Sequence, residues 1–418
     1  MARAFVLCTT VLCACAPALA AAAPADAPPE SAPAPAAAGA PAAAPAKAPE
    51  SAPATAAAAT PAPAPAAPPA AAPVFPKKLS VGTSGLFQPG ILLQAWFLVD
   101  GADAITSTFR LRRAELHVKG EIIPGKLAYA VMIDPAKVLE FKDFTVTVAN
   151  QDPPPTDPTM PETVTERRPV SAVSALQDFY ITWLTPWVDV SVGQFKIPVS
   201  WEGYNSSAKL LLPERAPVSR EFGDKRDLGV RLAKTFKYFG YSAGVFNGAG
   251  LNNLDVDNSK DVGLRLEAYP IEGLMVGAVG YVSVGPLGAG NNANNKDRYE
   301  ADLRFERWNF LFQGEYIRAH DVAADGTATD AHGFYAAVAY TFFGHLQPVV
   351  RLGYFDPDLS ADLMPASAAA KDEFWHLDVG VNWYIVKQEA RLSAVYSRFE
   401  FDDKTPNNEL ILAGQLSF

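Results

Sequence analysis

The chain has 418 residues, of which 49% are hydrophobic, and its formal net charge is −10. A protein that binds nucleic acid is expected to be basic, so this charge argues against a nucleic-acid partner. From Leu79 onward no run of about 18 or more apolar residues occurs, and this excludes transmembrane helices from that part of the chain.

Residues 1–20 predict a secretory signal peptide. Arg3 precedes an apolar run, and Ala18-Leu19-Ala20 supplies the small residues of a cleavage site. All three cysteines lie within this segment, so the cleaved chain would have no thiol. Disulfides, thiolate metal sites and cysteine nucleophiles are then excluded. The alternative is a lipoprotein signal in which Cys15 is lipidated.

Residues 21–78 consist almost entirely of alanine and proline over most of their length. Frequent prolines break helices, and so few large apolar side chains cannot offset the entropy of ordering. We therefore predict a disordered, extended arm in the periplasm. A structured role for this arm is the alternative.

Residues 79–418 predict one all-β domain, a transmembrane antiparallel β-barrel of about 16 strands. Segments with period-two alternation recur, and the connections between them are alternately short and long. Short turns on one side and long loops on the other are typical of the periplasmic and extracellular ends of such barrels. The predicted strands are 91–99, 109–119, 127–134, 176–184, 187–196, 228–235, 241–247, 261–269, 274–283, 297–307, 310–318, 333–342, 346–355, 374–385, 390–399 and 410–418. A long polar connection is expected at 135–171.

The clearest strand is FWHLDVGVNWYI, from Phe374 to Ile385, which places apolar side chains on one face and polar ones on the other. Trp375 and Trp383 lie near its ends, where aromatic girdles belong. The last predicted strand ends on Phe418, and this resembles the carboxy-terminal phenylalanine of outer-membrane porins as a class. A soluble sandwich would also alternate, but its strands are shorter. Pro348 within a predicted strand leads us to expect a β-bulge there.

The polar faces of these strands carry many basic side chains. A lumen lined by charge would hold water and stay open. The alternative is that each arginine merely pairs with a neighbouring carboxylate and braces the wall. The candidate pore-lining and anion-binding residues on the strands are Arg110, Arg112, Arg113, Lys196, Arg231, Arg265, Arg304, Arg351 and Arg391.

The connection 197–226 follows the fifth predicted strand, the position at which general porins have a loop that folds into the lumen and narrows it. Mixed charge at a constriction creates a transverse field that can set ion preference. A solvated surface loop of the same composition is the alternative. Its candidate residues are Lys209, Arg215, Arg220, Lys225 and Arg226, which alternate with Glu214, Glu221 and Asp224.

Catalytic and cofactor signals are weak. The five histidines are scattered without a metal-ligand spacing such as HExxH, and no GxSxG-type elbow occurs. We therefore expect neither an enzyme nor a cofactor or metal site.

Four stretches carry a family resemblance: FRLRRAELHVKGEI (109–122), VGQFKIP (192–198), LLPERAPVSREFGDKRDLGVRL (211–232) and YSAGVFNG (241–248). In this order they resemble the phosphate-selective porin O and P family of Gram-negative outer membranes. The resemblance implies a homotrimeric 16-stranded porin in outer-membrane lipid that passes small anions such as phosphate or polyphosphate. The residues that match the basic constriction of the family are Arg112, Arg113, Lys196, Arg215, Arg220 and Arg226.

The sequence thus predicts a passive outer-membrane channel for small solutes, with anions as the expected cargo. Acids outnumber bases in the chain, 45 to 35. A non-selective or cation-preferring porin is therefore the first alternative. A structural barrel tethered to the cell wall by its arm is the second.

Overall fold

The structure is a computed structural model. It describes residues 79–81, 85–101, 105–139, 141–148, 162–169, 172–255, 258–285, 295–323, 326–359, 373–402 and 405–418. The predicted signal peptide and alanine/proline arm lie outside the described residues.

Sixteen long strands form a closed antiparallel barrel, as predicted. Each pairs with its neighbours along the chain, and the last barrel strand pairs with the first through Glu409↔Asp100 to Ser417↔Leu92. The barrel strands are β2 (Gly85–Asp100), β3 (Thr106–Ile123), β4 (Leu127–Ile133), β7 (Leu176–Trp183), β8 (Asp189–Lys196), β9 (Arg226–Thr235), β10 (Phe239–Phe246), β11 (Lys260–Ala268), β12 (Leu274–Val284), β13 (Asn295–Arg307), β14 (Phe310–Val322), β15 (Ala328–Tyr340), β16 (Leu346–Asp356), β17 (Phe374–Val386), β18 (Ala390–Phe401) and β19 (Asn407–Ser417).

Three strands lie outside this ring. The short β1 (Leu79–Val81) pairs with the start of β2. β5 (Phe141–Val148) and β6 (Glu162–Pro169) form a separate hairpin, so β4 pairs directly with β7. The sequence predicted only a polar connection where this hairpin lies, so the prediction was wrong there.

Alternation along the strands separates an apolar outer face from a polar inner face. In β17, Trp375, Leu377 and Trp383 are 46%, 38% and 53% exposed, whereas His376 and Asp378 between them are buried. An exposed apolar face is unfavourable in water and favourable in lipid. The distribution is therefore that of a barrel whose outer wall faces lipid.

Connections are short at one end of the barrel, which we call the short-turn end, and longer at the other, the long-loop end. Turns such as 124–126 and 387–389 lie at the first, and the connection 197–225 leaves from the second. Two short α-helices, α1 (Trp201–Tyr204) and α2 (Pro217–Phe222), lie in that connection. No helix in the described part of the chain is long and apolar enough to span a membrane.

Bulges occur at other places than predicted. Pairing of β16 with β17 continues through Pro348 without a register shift, so the bulge expected there is absent. Pro348 is tolerated because it lies near the start of β16, one residue before Val349, at which the ladder with β15 ends. A bulge in β3 instead skips Arg112 between Gln94↔Arg113 and Ala95↔Leu111.

Candidate functional site

The connection between β8 and β9, residues 197–225, folds into the barrel, and we call it the inner loop. Its apolar side chains are covered by the wall: Val199, Leu212 and Val218 are at most 2% exposed. Phe222 of α2 packs edge to face against Phe355 of β16, with ring centroids 5.9 Å apart. The inner loop is therefore part of the lumen and not a solvated surface loop.

One buried carboxylate, Glu315 of β14, fixes the start of the inner loop. Its Oε1 accepts hydrogen bonds from the Glu202 backbone N at 2.9 Å and the Tyr335 hydroxyl at 2.6 Å. Its Oε2 accepts from Ser200 Oγ at 2.6 Å, the Trp201 backbone N at 3.2 Å and Ser219 Oγ at 3.2 Å. Because these donors come from both helices, one side chain holds α1 and α2 to the wall.

The middle of the inner loop is held by side chains on the opposite wall. Strands β3, β16, β17 and β18 each donate to a loop carbonyl. These bonds are Arg113 Nη1 to Pro213 O at 3.2 Å, Arg351 Nη1 to Glu214 O at 3.0 Å, Asn382 Nδ2 to Leu211 O at 2.8 Å and Arg391 Nη1 to Leu210 O at 2.7 Å. The inner loop thus crosses the lumen and is anchored on both sides.

Basic side chains gather around two acidic residues of the inner loop. Around Glu214, Arg112 Nε lies 2.8 Å from Oε2, Arg113 Nη2 3.6 Å from Oε1, and Arg220 Nη1 3.7 Å from Oε1. The bulge in β3 explains why two consecutive arginines are both buried, since a bulge breaks the alternation of faces.

Asp224 is the second acidic centre. Lys196 Nζ, Arg215 Nη1 and Arg226 Nη1 lie 2.9, 3.1 and 3.4 Å from its carboxylate oxygens. Arg226 also binds Asp178 of β7, with Nε 2.8 Å from Oδ1. Together the two centres contain six basic side chains and three carboxylates, an excess of three positive charges. We call these nine residues the basic cluster.

The basic cluster keeps its acids ionised. Burial would raise the pKa of Glu214, but the neighbouring arginines, Arg112 first, lower it well below its usual range. Burial opposes ionisation of Asp224 in the same way, and Arg215 and the other cations lower its pKa well below the usual value. Both carboxylates therefore neutralise part of the cluster at neutral pH, and the excess positive charge remains.

Three cavities share lining residues in sequence: two lie along the wall formed by β3, β4 and β7, and the third lies between the inner loop and strands that include β11 to β14. The upper cavity, of about 570 Å³ at the long-loop end, includes Arg226 and Lys225 in its lining. The middle cavity, of about 240 Å³, shares Arg226 with it. The lower cavity, of about 260 Å³ near the short-turn end, shares Lys119 and Tyr180 with the middle one. Arg226 therefore lies between the upper and middle cavities and lines both of them.

The remaining predicted residues lie at different places. Arg265 is buried among Glu267, Glu300 and Asp302, at 2.7, 3.2 and 2.9 Å. Arg351 binds Asp378 at 2.7 Å, and Arg304 binds Glu306 at 2.7 Å. The geometry of these three is that of bracing ion pairs. Three of the others are exposed: Arg110 near the long-loop end, Lys209 on the inner loop and Lys225 in the upper cavity. Arg391 donates a hydrogen bond to the inner loop, and Arg231 lines the middle cavity.

Several residues of the site were not found from the sequence. Lys119, Asp178 and Tyr204 line the middle cavity, and Glu315 anchors the loop. Period-two alternation puts Glu315 on the inner face, but nothing in the sequence marks it as the partner of a loop 96 to 115 residues away. No group of three or more potential metal ligands occurs among the described residues.

Comparison with known proteins supports this architecture. Residues 97–283 match the family model described as phosphate-selective porin O and P. The chain has the fold of a porin. The resemblance seen in the sequence motifs is thereby confirmed over this part of the chain. No curated protein sequence matches the chain.

Three solved porin and channel structures illustrate the fold. An anion-selective porin from Comamonas acidovorans is 9% identical, with a TM-score of 0.56, over 80% of this chain and 100% of that one. The outer membrane channel DcaP of Acinetobacter baumannii is 13% identical, with a TM-score of 0.54, over 81% and 99%. OmpT of Vibrio cholerae, in a trimer form, is 11% identical, with a TM-score of 0.52, over 80% and 100%. At such low identity these structures support the fold alone.

Proposed function

We propose that this porin is a passive outer-membrane channel for small anions such as phosphate. The observation that carries the proposal is the excess of three positive charges in the basic cluster, beside cavities that share lining residues. Charge of one sign in a narrow passage with walls of low dielectric constant concentrates ions of the opposite sign. Passage then needs neither a catalytic group nor a cofactor.

The ion pairs of the cluster do not cancel this field. Two carboxylates, Glu214 and Asp224, are shared among six basic side chains, so each cation is only partly compensated. Arg220 is 40% exposed and can reach a passing solute. Moreover, a guanidinium stays charged at any physiological pH, so the attraction of the five arginines of the cluster for anions does not depend on their protonation.

The proposed setting is the outer membrane, with the apolar outer face of the barrel in lipid and the alanine/proline arm in the periplasm after removal of the signal peptide. A homotrimer is the proposed assembly, in line with the family and with the trimer form of OmpT. β1, the first described strand, pairs with the start of β2 at the short-turn end.

A channel without anion preference is the second candidate, and the upper cavity favours it. Its lining has five acidic residues against six basic ones, which gives almost no net charge at the entrance. An entrance of this kind would not repel cations. The basic cluster below it must then supply the selectivity that we propose.

Ion selectivity in planar bilayers tests the proposal. With a tenfold KCl gradient across the bilayer, the reversal potential of the native porin should show chloride preference. A variant with Gln at Lys196, Arg215, Arg220 and Arg226 should shift toward potassium. The matched control carries Gln at four basic residues outside the three cavities: Lys126, Lys237, Arg307 and Arg318.

The single variant Arg220→Gln should show a smaller shift in the same direction, and it removes only a partly exposed side chain. A native porin that prefers potassium would contradict the proposal. So would a folded fourfold variant with the native reversal potential.

A further inference from the structure

One basic side chain that lines the middle cavity, Arg231, does not belong to the basic cluster. Arg231 of β9 lines this cavity, and it has no carboxylate partner among the described residues. Its guanidinium lies over the rings of Phe195 and Tyr180, 4.5 and 5.6 Å from their centroids. Packing against two rings fixes the plane of the guanidinium and leaves the N–H donors along its edge available for hydrogen bonds.

The N–H donors of Arg231 have few close hydrogen-bond partners in the described part of the chain. Nη1 donates to the Tyr204 hydroxyl and Nη2 to Ser191 Oγ, both at the long distance of 3.4 Å. Nε is buried and has no hydrogen-bond partner in the described part of the chain. A buried donor without a partner is costly, and a planar fork of N–H donors matches a carboxylate that accepts two parallel hydrogen bonds. The side chain is therefore prepared for an anionic ligand.

The lining around Arg231 is half apolar and carries further positive charge. Tyr180, Tyr204 and Met132 supply apolar surface, and Lys119 is a second cation without an ion pair among the described residues. The whole lining holds four basic residues against two carboxylates, Glu115 and Asp178. The cavity thus combines net positive charge with aromatic walls. A small hydrated inorganic anion makes no use of those walls.

Volume gives a second criterion. At about 30 Å³ for each water-sized group, the cavity of 240 Å³ has room for about eight such groups. An aromatic carboxylate such as benzoate, with about nine non-hydrogen atoms, is close to this size, and the smaller inorganic phosphate also fits. The ring would lie beside Tyr180 and Tyr204 while the carboxylate meets the edge of Arg231.

We propose that the middle cavity is a binding site for small aromatic carboxylates, which this channel then passes in preference to inorganic phosphate. The inference rests on the proposed anion channel and names the class of solute that the same passage selects. Arg231 binds the carboxylate, Lys119 adds attraction, and Tyr180, Tyr204 and Met132 contact the ring.

Block of chloride current by added anions tests this inference. Benzoate and phosphate are titrated separately against the current of the native porin in a bilayer, and the concentration that halves the current is measured for each. Both anions can accept hydrogen bonds from Arg231, so the difference lies in the contact of the benzoate ring with the aromatic wall, and benzoate should act at a concentration about tenfold lower than phosphate. Equal potency, or stronger block by phosphate, would overturn the inference.

Two variants separate the fork of donors from the aromatic wall. Arg231→Lys keeps the charge and loses the fork, so benzoate block should weaken about tenfold while the reversal potential stays nearly native. Tyr204→Ser removes a ring and should weaken benzoate block and spare phosphate block. Arg307→Lys, the same substitution at a residue beside a short turn, is the control. Native benzoate block in both cavity variants would overturn the inference.

The result also distinguishes the two proposals. A native porin without chloride preference contradicts the anion channel itself. A native porin that prefers chloride but is not blocked more strongly by benzoate than by phosphate contradicts only the site for aromatic carboxylates.

Discussion

The anchor of the inner loop at Glu315 leads to a prediction with a definite magnitude. In Glu315→Gln one of the two carboxylate oxygens becomes an NH₂ group, which cannot accept the hydrogen bonds made there. Each oxygen accepts one backbone N–H, that of Glu202 at Oε1 and that of Trp201 at Oε2, so one of these two donors loses its acceptor whichever way the amide points, while the bound hydroxyls can turn to accept from the NH₂ group. A buried donor left without an acceptor costs about 1–3 kcal/mol, so we expect a loss of about 2 kcal/mol.

The lost hydrogen bonding at Glu315 should increase the mobility of the inner loop more than it disturbs the strands of the wall. Because α1 and α2 both depend on Glu315, the inner loop should move more freely, and single-channel current should become noisier and larger on average. Urea unfolding of the barrel should show a lower midpoint in the same variant. Glu306→Gln is the matched control, because the Glu306 side chain is 63% exposed and its carboxylate pairs with Arg304 of the wall. Native current noise and a native unfolding midpoint in Glu315→Gln would refute the anchoring role.

Three further predictions concern pH and the two ends of the chain. The low pKa values of Glu214 and Asp224 mean that their ion pairs stabilise the fold fully above the unfolded-state carboxyl pKa of about 4, and that this contribution is lost as pH falls through the lowered folded-state values. The resistance of the barrel to urea should therefore fall below about pH 4, and Glu214→Gln should reduce that fall. Deletion of Phe418 removes the two backbone hydrogen bonds to Ile91 that help to close the barrel, so the amount of folded protein in the outer membrane should fall, and a normal amount would contradict this role. Removal of residues 21–73 should leave folding and conductance nearly unchanged, whereas loss of heat-resistant oligomer in that deletion would show that the arm is structural.

The period-two pattern of apolar side chains was sufficient to predict the barrel strands, because every strand that crosses the membrane must present apolar side chains to lipid. The outward side chains of β17, such as Leu377 and Trp383, face lipid and must be apolar, while those between them are free to be polar. Each of the sixteen predicted strands accordingly overlaps one strand of the barrel. The hairpin of β5 and β6 lies outside the ring and is not subject to this condition, and it was missed.

The partners within the lumen could not be predicted in the same way. Arg112 and Glu214 are 102 residues apart, and their contact depends on the path of the inner loop across the barrel. The bulge at Arg112 appears in the sequence only as a change of phase, from Phe109 and Leu111 to Leu116, and this change does not indicate which loop residue the arginine contacts. Arg265 and Arg231 both alternate inward, yet only the folded structure shows that the first has three carboxylates beside it and the second has aromatic rings.

Chemical modification of one engineered thiol tests most directly whether solutes pass through the middle cavity. Ser206 lines that cavity on the inner loop, whereas Val230 is exposed on the outer face of β9, beside Arg231. In a chain without other thiols, Ser206→Cys should react with a small anionic thiosulfonate reagent, and the current should fall stepwise as each channel is modified. Val230→Cys should show no change in current. A native current after complete modification of Ser206→Cys would contradict a passage along this wall.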